Sequence, residues 1–276
     1  MNKKVWLVTG SSKGLGKALV TKLIAEGYFV AATSRSRESL EKIFGAETDT
    51  FLPVVMNIKD EEDVKSVIGK VIEKFGRIDV LVNNAGYTHL ATIEEMSDKD
   101  ARDEFDVNVF GLLNVTRNVL PIMRKQKRGH IFNVSSLGAY NVGPLSGIYC
   151  ATKHAVKAIS ETLAQEVREF GIHVTDVKPG FMRTEFFGGS YKTTAPENSP
   201  YKHLYDENMA FYMGQDGNQA GSPEKAAELY IKVVEMSEPY ESLPMGTDSC
   251  DGIRDICANT VKLMEDMRPV AETTNY

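Results

Sequence analysis

Residues 5–26 read VWLVTGSSKGLGKALVTKLIAE, and this stretch decides the fold. Val5 to Val8 is a short, continuous apolar run, the pattern of a strand buried on both faces. Thr9 to Gly16 follows at once as a glycine-rich turn, and a helix is predicted from about Lys17 to Glu26. Strand, glycine turn and helix in that order present backbone N–H groups and the positive end of a helix dipole to an anion. The glycines let the backbone approach that ligand closely. The spacing is G-x-x-x-G-x-G, not the commoner G-x-G-x-x-G, so position carries as much of the reading as spacing.

The next strand, Tyr28 to Thr33, bears on which ligand is held. NAD sites usually place a carboxylate at its end to bind the ribose 2′-hydroxyl. Here the end is Ser34-Arg35, and Lys13 lies in the glycine turn. Two cations and no anion suit a 2′-phosphate, which points to NADP(H). Each charge-assisted bond would contribute roughly 1.5–3 kcal/mol, tenfold or more in preference.

Strands and helices keep alternating. Phe51 to Met56 reads as a strand with Asn57 at its end, and a helix follows from Glu61 to Phe75 with Asp60 as its cap. Asp79 to Val82 is a further strand, ending in Asn83-Asn84-Ala85-Gly86, where the carboxyl edge of a sheet would bind a ligand. One long helix is expected over Asp98 to Gln126, with Pro121 marking a kink or break and Asn108 needing hydrogen-bond partners among apolar neighbours. His130 to Ala155 starts as a strand that ends at Ser135-Ser136. After a Gly- and Pro-bearing loop it continues as a helix carrying Tyr149 and Lys153. Residues four apart share a helix face, so the ammonium can sit beside the phenol and lower its pKa from about 10. A Ser136 hydroxyl aimed at the same oxygen suits proton transfer to or from a carbonyl or alcohol. Ile172 to Val177 is the next strand, ended by Lys178-Pro179-Gly180.

Composition bounds the alternatives. The chain has 276 residues, 42% hydrophobic, with a net charge of −6 and three cysteines. That size suits one domain. The charge and the lack of a basic block argue against nucleic acid or an anionic membrane. Cys150, Cys250 and Cys257 form neither a CxxC pair nor a metal cluster, which suggests reduced thiols in a cytoplasm-like compartment. The apolar run after MNKK is too short for a signal peptide, and no stretch reaches the length of a membrane span. A soluble cytoplasmic protein is expected.

In their order and spacing, Thr9 to Gly16, Asn83 to Gly86, Asn108, Ser136, Tyr149, Lys153 and Pro179-Gly180 resemble the short-chain dehydrogenase/reductase family, across roughly residues 4 to 185. The resemblance implies an α/β Rossmann-like doubly wound sheet of about seven parallel strands with helices on both faces. It implies that Tyr149 is the general acid or base, that Ser136 binds the substrate carbonyl, and that Lys153 lowers the tyrosine pKa and binds the nicotinamide ribose. Asn108 would support a proton-relaying water. Cofactor contacts would come from Gly10, Ser12, Lys13, Gly14, Leu15 and Gly16 in the turn, and from Ser34 and Arg35 after the second strand. Asn57 and Ile58, then Asn84, Ala85 and Gly86, would add to them, with Tyr149, Lys153, Pro179, Gly180 and Thr184 completing the set. Asn57 departs from the family's usual Asp, though its side-chain oxygen can still accept a bond.

Glu185 to Ala220 fits no regular element and carries Phe186, Phe187, Tyr191, Tyr201, Tyr205, Phe211, Tyr212 and Met213. In the family this region is a substrate lid, and aromatic walls would favour a hydrophobic carbonyl compound. A helix after Ser222-Pro223, a last strand at Leu243 to Gly246, a helix from Asp248 to Met267 and a loose tail from Arg268 complete the reading. The family's helix pairing implies a homodimer or homotetramer. An NADPH-dependent carbonyl reductase is the leading expectation. An alcohol or hydroxysteroid-type dehydrogenase working oxidatively is the alternative. A nucleotide sensor without catalysis is disfavoured by the presence of both Tyr149 and Lys153.

Overall fold

The computed structural model describes residues 3–185, 191–193 and 195–276. Its centre is a seven-stranded sheet in which every pairing is parallel. The strands are β1 (Val5–Val8), β2 (Phe29–Ser34), β3 (Phe51–Val55), β4 (Val80–Asn83), β6 (Gly129–Val134), β7 (Ile172–Pro179) and β9 (Ser242–Met245). Their order is β3-β2-β1-β4-β6-β7-β9, so the chain reverses direction across the sheet between β1 and β4. Such a reversal opens a crevice at the carboxyl ends of the two strands.

Alternation along β1 explains why helices cover both faces. Trp6 and Val8 point to one side, where they pack with Leu19, Val20 and Leu23 of α1 (Gly14–Ala25) and Tyr230 and Val233 of α8 (Pro223–Val234). Leu7 points to the other. There it meets Val64 and Val71 of α3 (Glu61–Phe75), Val115 and Val119 of α5 (Leu112–Gln126), and Leu163 of α6 (Gly147–Val167). The α3 bounds and its Asp60 cap, which accepts from Glu62 N and Asp63 N, are those expected from sequence.

Several expectations are corrected. The helix beginning at Asp98 is not one helix kinked or broken at Pro121. It runs as α4 (Asp98–Phe105), a π-helical turn over Asp106–Gly111, and then α5. Pro121 sits inside α5 on its exposed side, where solvent can serve the carbonyl the proline leaves without a donor. The widened turn instead surrounds Asn108, whose side chain is drawn to partners outside the helix. A short helix, α2 (Arg37–Phe44), capped by the Ser36 hydroxyl, follows β2. The stretch expected to lack regular structure contains α7 (Lys202–Gln215) and β8 (Tyr191–Thr193). β8 pairs in parallel with β5 (Thr88–Leu90) in a two-stranded sheet of its own. Phe186 and Phe187 lie outside the described residues. The last helix, α9 (Thr247–Glu272), runs past Met267 and through Pro269, with Arg268 paired to Glu272 at 3.0 Å, so the expected loose tail is largely helical. Among the described residues, no helix is long and apolar enough to cross a membrane.

Candidate active site

The carboxyl ends of β1, β2, β4, β6 and β7 open into one cavity of about 810 Å³. Its floor is built by hydrogen bonds between the turns after β1 and β4. Thr9 Oγ1 accepts from the backbone N–H groups of Asn84 and Ala85, both at 3.0 Å. Asn84 Nδ2 donates in return to the carbonyls of Thr9 and Gly10, also at 3.0 Å. The two turns approach so closely that a side chain would not fit between them. A Cβ on Gly10, which has φ +66°, would stand 2.8 Å from Ala85 Cα. One on Gly16 would stand 2.5 Å from Asn84 Nδ2 and 2.6 Å from the Gly10 carbonyl oxygen. Gly16 is therefore a packing residue of the turn and, unlike Gly10, Ser12, Lys13, Gly14 and Leu15, does not line the cavity.

Side chains cap the first turns of α2, α3, α4 and α8, through Ser36, Asp60, Ser97 and Ser222. α1, like α6, α7 and α9, has no side-chain cap, and its first turn is the one that follows the glycine turn into the cavity. Bare N–H groups at a helix start, on a backbone packed too tightly for side chains, fit a phosphate. Lys13 and Arg35 are both exposed, border the same cavity, and make no ion pair among the described residues. Ser34 also borders it, with its hydroxyl donating to Ser36 O at 2.6 Å and accepting from Ser36 N at 3.0 Å. Asn57 and Ile58 form the next part of the wall. Asn57 Oδ1 accepts from Lys59 N at 3.3 Å, and Asn114 Nδ2 holds the Ile58 carbonyl at 3.0 Å. Ala85, Gly86, Pro179, Gly180 and Thr184 close the lower rim. Thr184 lies against the glycine turn, 3.7 Å from where a Cβ on Gly14 would stand.

At the far end, β6 and α6 bring Ser136, Tyr149 and Lys153 together. The two adjacent serines part ways. Ser135 is buried, and its hydroxyl is committed to the Asp176 carboxylate and the Val177 carbonyl. Ser136 accepts from Gly138 N at 3.0 Å and hydrogen-bonds the Tyr149 phenol. Lys153 is buried. Its ammonium donates to the Val134 carbonyl at 2.9 Å and lies 5.6 Å from the centre of the Tyr149 ring. Asn108 is buried just off the cavity wall. Its Oδ1 accepts from Tyr87 N at 3.0 Å, while its Nδ2 donates to Tyr87 O at 2.9 Å and Thr152 Oγ1 at 3.1 Å.

The titration of this cluster runs opposite to the sequence expectation for the phenol. Burial raises Tyr149 well above the ordinary tyrosine value, and the Ser136 hydrogen bond only partly opposes it. Burial also brings Lys153 down to about 8, against the attraction of Glu104 and Asp176. Desolvation disfavours the charged form of each group.

Above the cluster stand Leu137, Val142, Tyr191, Phe211 and Tyr212. Phe211 packs edge-on to Phe181 with ring centres 5.9 Å apart. Tyr201 and Tyr205 turn away, their hydroxyls bonding Glu94 and Glu95, and Met213 is half-exposed outside the cavity. Two residues that build the rim were not expected from sequence. Thr152 anchors Asn108, and Asp248 of α9 accepts from Phe181 N at 2.6 Å, holding the chain as it leaves Gly180. A threonine three residues after Tyr149 on the same helix was a readable sign of the first.

The family model for short chain dehydrogenases matches residues 4–195. The chain belongs to that family. Among relatives, this short-chain dehydrogenase is 37% identical over 251 residues to the oxidoreductase BOA17 of Botryotinia fuckeliana, covering 90% of each chain. Among solved structures it is similar to a short-chain dehydrogenase from Streptomyces avermitilis, with 32% identity and a TM-score of 0.89 over 99% of this chain and 100% of that one. It is also similar to ElxO with NADP bound, 26% identical, with a TM-score of 0.74 over 90% of this chain and 99% of that one. The protein is thus an oxidoreductase of the short-chain dehydrogenase family, built on the seven-stranded sheet described above.

Proposed function

We propose that this single-domain short-chain dehydrogenase is an NADPH-dependent reductase of hydrophobic aldehydes or ketones, with Tyr149 as general acid. One observation carries the reading: a single cavity is walled at one end by the uncapped start of α1 with Lys13 and Arg35, and at the other by Ser136, Tyr149 and Lys153. The glycine turn, Thr184 and Pro179-Gly180 would hold the dinucleotide, with Lys13 and Arg35 meeting its 2′-phosphate. The bound nicotinamide supplies the hydride.

The chain's own residues do the rest. Ser136 and Tyr149 aim two hydroxyls at one point, where they bind the substrate oxygen and stabilise charge growing on it. Tyr149 then gives that oxygen its proton. A phenol raised by burial is protonated at neutral pH, the form a general acid needs. Working as the base for alcohol oxidation, the same group would run the reverse step, so the direction is set by the supply of reduced cofactor rather than by the phenol. Lys153 keeps a positive charge beside the phenolate that proton transfer leaves. Asn108 holds Tyr87 and Thr152, and so fixes the loop that carries Gly86 against α6. Leu137, Val142, Phe211 and Tyr212 offer an apolar surface to the substrate's carbon skeleton. Free cysteines are in keeping with a cytoplasmic setting. The exposed Phe110 on the α4–α5 stretch is in keeping with a homodimer or homotetramer.

The test is loss of reduced-nicotinamide absorbance with NADPH and NADH supplied separately against aldehydes, aryl ketones, diketones and ketosteroids. Faster turnover with NADPH on the bulkier carbonyls is expected. Equal or better use of NADH would overturn the cofactor assignment, and turnover only from alcohols with NADP+ would overturn the direction.

A further inference from the structure

Glu104 is fully buried at the end of α4, one helical turn before Asn108. Carboxylates are rarely buried without a partner, because removing an ion from water is costly. One oxygen of this carboxylate accepts from His89 N at 3.3 Å, and the other has no hydrogen-bond partner. The loop between β4 and β5 links Glu104 to the catalytic cluster. His89 meets Glu104, Tyr87 is gripped by Asn108, and Gly86 faces Lys153. A Cβ on Gly86 would stand 3.1 Å from Asn108 Oδ1 and 3.5 Å from Lys153 Nζ, so the lysine and the asparagine converge on one point. Among the described residues the ammonium donates to one acceptor, the Val134 carbonyl, and it lies 5.6 Å from the centre of the Tyr149 ring.

We propose that Glu104 is a positioning residue for this site: its buried carboxylate holds Lys153 in the ammonium form. This rests on the reading of Lys153 as the cation beside the Tyr149 phenol. Burial drives the two groups toward neutrality from opposite sides, Glu104 up to about 7 and Lys153 down to about 8, and each favours the other's charge. The other groups facing them are accounted for. Lys192 on β8 lowers Glu104 weakly, and burial lowers His89 on β5 against the pull of Asp100. Asp176 on β7 helps Lys153 but already carries an ion pair to Lys178 at 2.8 Å. Glu104 also raises Tyr87, Tyr149 and Cys150. Near neutral pH the carboxylate therefore favours the ammonium and the ammonium favours the carboxylate.

The experiment is carbon-13 NMR on the full chain with labelled lysine and glutamate side chains, Lys153 and Glu104 being assigned from their Lys153→Met and Glu104→Gln spectra. Glu104 is expected to titrate near neutrality, with the Lys153 signal responding in the same pH range. In Glu104→Gln, which keeps the shape and the bond from His89 N, the Lys153 midpoint should fall by about one pH unit, the low end of what a nearby opposite charge exerts. The alkaline limb of kcat against pH should fall with it, while a merely structural role would lower activity without moving the limb. An ordinary carboxyl midpoint for Glu104 in the unsubstituted chain, or an unmoved Lys153 midpoint in folded Glu104→Gln, would overturn the proposal. The titrations need no substrate. If they are coupled and no carbonyl is reduced, the proposed reaction fails while the charge pairing stands. If activity is present and the titrations are uncoupled, only the pairing fails.

Discussion

Replacing Gly16 by alanine tests whether the contact between the turns after β1 and β4 builds the nucleotide site. The helix gains from the change, about 1 kcal/mol by intrinsic propensity. Against this, the new methyl would sit 2.5 Å from Asn84 Nδ2 and 2.6 Å from the Gly10 carbonyl. Both neighbours would have to move. The Asn84 amide would give up its bonds to Thr9 O and Gly10 O, at about 0.5–1.5 kcal/mol each, with overpacking adding about 1–3 kcal/mol. The net expectation is a loss of about 1–5 kcal/mol, centred near 3 kcal/mol, in urea unfolding. Because the displaced carbonyl belongs to the turn that would meet the dinucleotide, NADPH binding followed by fluorescence should weaken about tenfold or more, the equivalent of about 1.4 kcal/mol. Adding Asn84→Ala should recover only part of the loss, since the Gly10 carbonyl still stands in the way. A Gly16→Ala protein that is more stable than the parent and binds NADPH as tightly would refute the reasoning.

Three further outcomes are expected. Tyr149→Phe should lower kcat about 10²–10⁴-fold with NADPH affinity nearly unchanged; a mutant keeping most of its turnover would remove Tyr149 from the chemistry. Replacing Lys13 and Arg35 together by alanine should weaken NADPH while leaving NADH largely unaffected, and the loss should shrink as salt is raised because both side chains are exposed. His130 is buried, stacks on Phe132 and bonds Thr175 at 2.9 Å, and burial brings its pKa from 6.5 down to about 3. Since Thr175 Oγ1 spends its own proton on Tyr240 O, His130 Nε2 is the donor and the ring stays neutral. The unfolded chain takes up this proton below about 6.5 and the folded chain does not until about 3. Its stabilising contribution is complete above 6.5 and falls by up to about 1.4 kcal/mol per pH unit in between. Glu104 works the other way below 7, so the difference curve between the parent and His130→Gln, followed by thermal unfolding, is the clean measurement.

Most strands were readable because β1 to β4, β6 and β7 are short apolar runs closed by Gly, Asn, Ser or Pro. Asp60 marked the start of α3 for a local reason, a side chain bonding its own first turn. What could not be read depends on distant partners. The π-helical turn exists because Asn108 reaches Tyr87 and Thr152, 21 and 44 residues away. β5 and β8 are three-residue strands that acquire meaning only from each other. α2 was missed although Ser36, Leu40 and Phe44 announce it. In the site, residue types and spacing pointed to Ser136, Tyr149 and Lys153. The direction of the Tyr149 shift did not follow, because a neighbouring charge is visible in sequence and the depth of burial is not. In sequence Glu104 is one acid among several on a charged helix, and only its burial beside His89 of β5 distinguishes it.

The strand order also has a consequence for how the chain acquires its shape. β1, β2 and β3 are contiguous in sequence and pair outward to one edge, so the amino-terminal quarter can assemble its half of the sheet as it leaves the ribosome. Every pairing on the other side of β1 waits for β4, which arrives more than seventy residues later and closes a long loop before any contact offsets the entropy. Until then the β1 edge facing β4 stays open, and Thr9 and Gly10 have no Asn84 to hold them. The contact between the turns after β1 and β4 is therefore a late-forming feature of an early-formed segment. A nascent chain stalled before residue 84 would carry the glycine motif without the ability to use it.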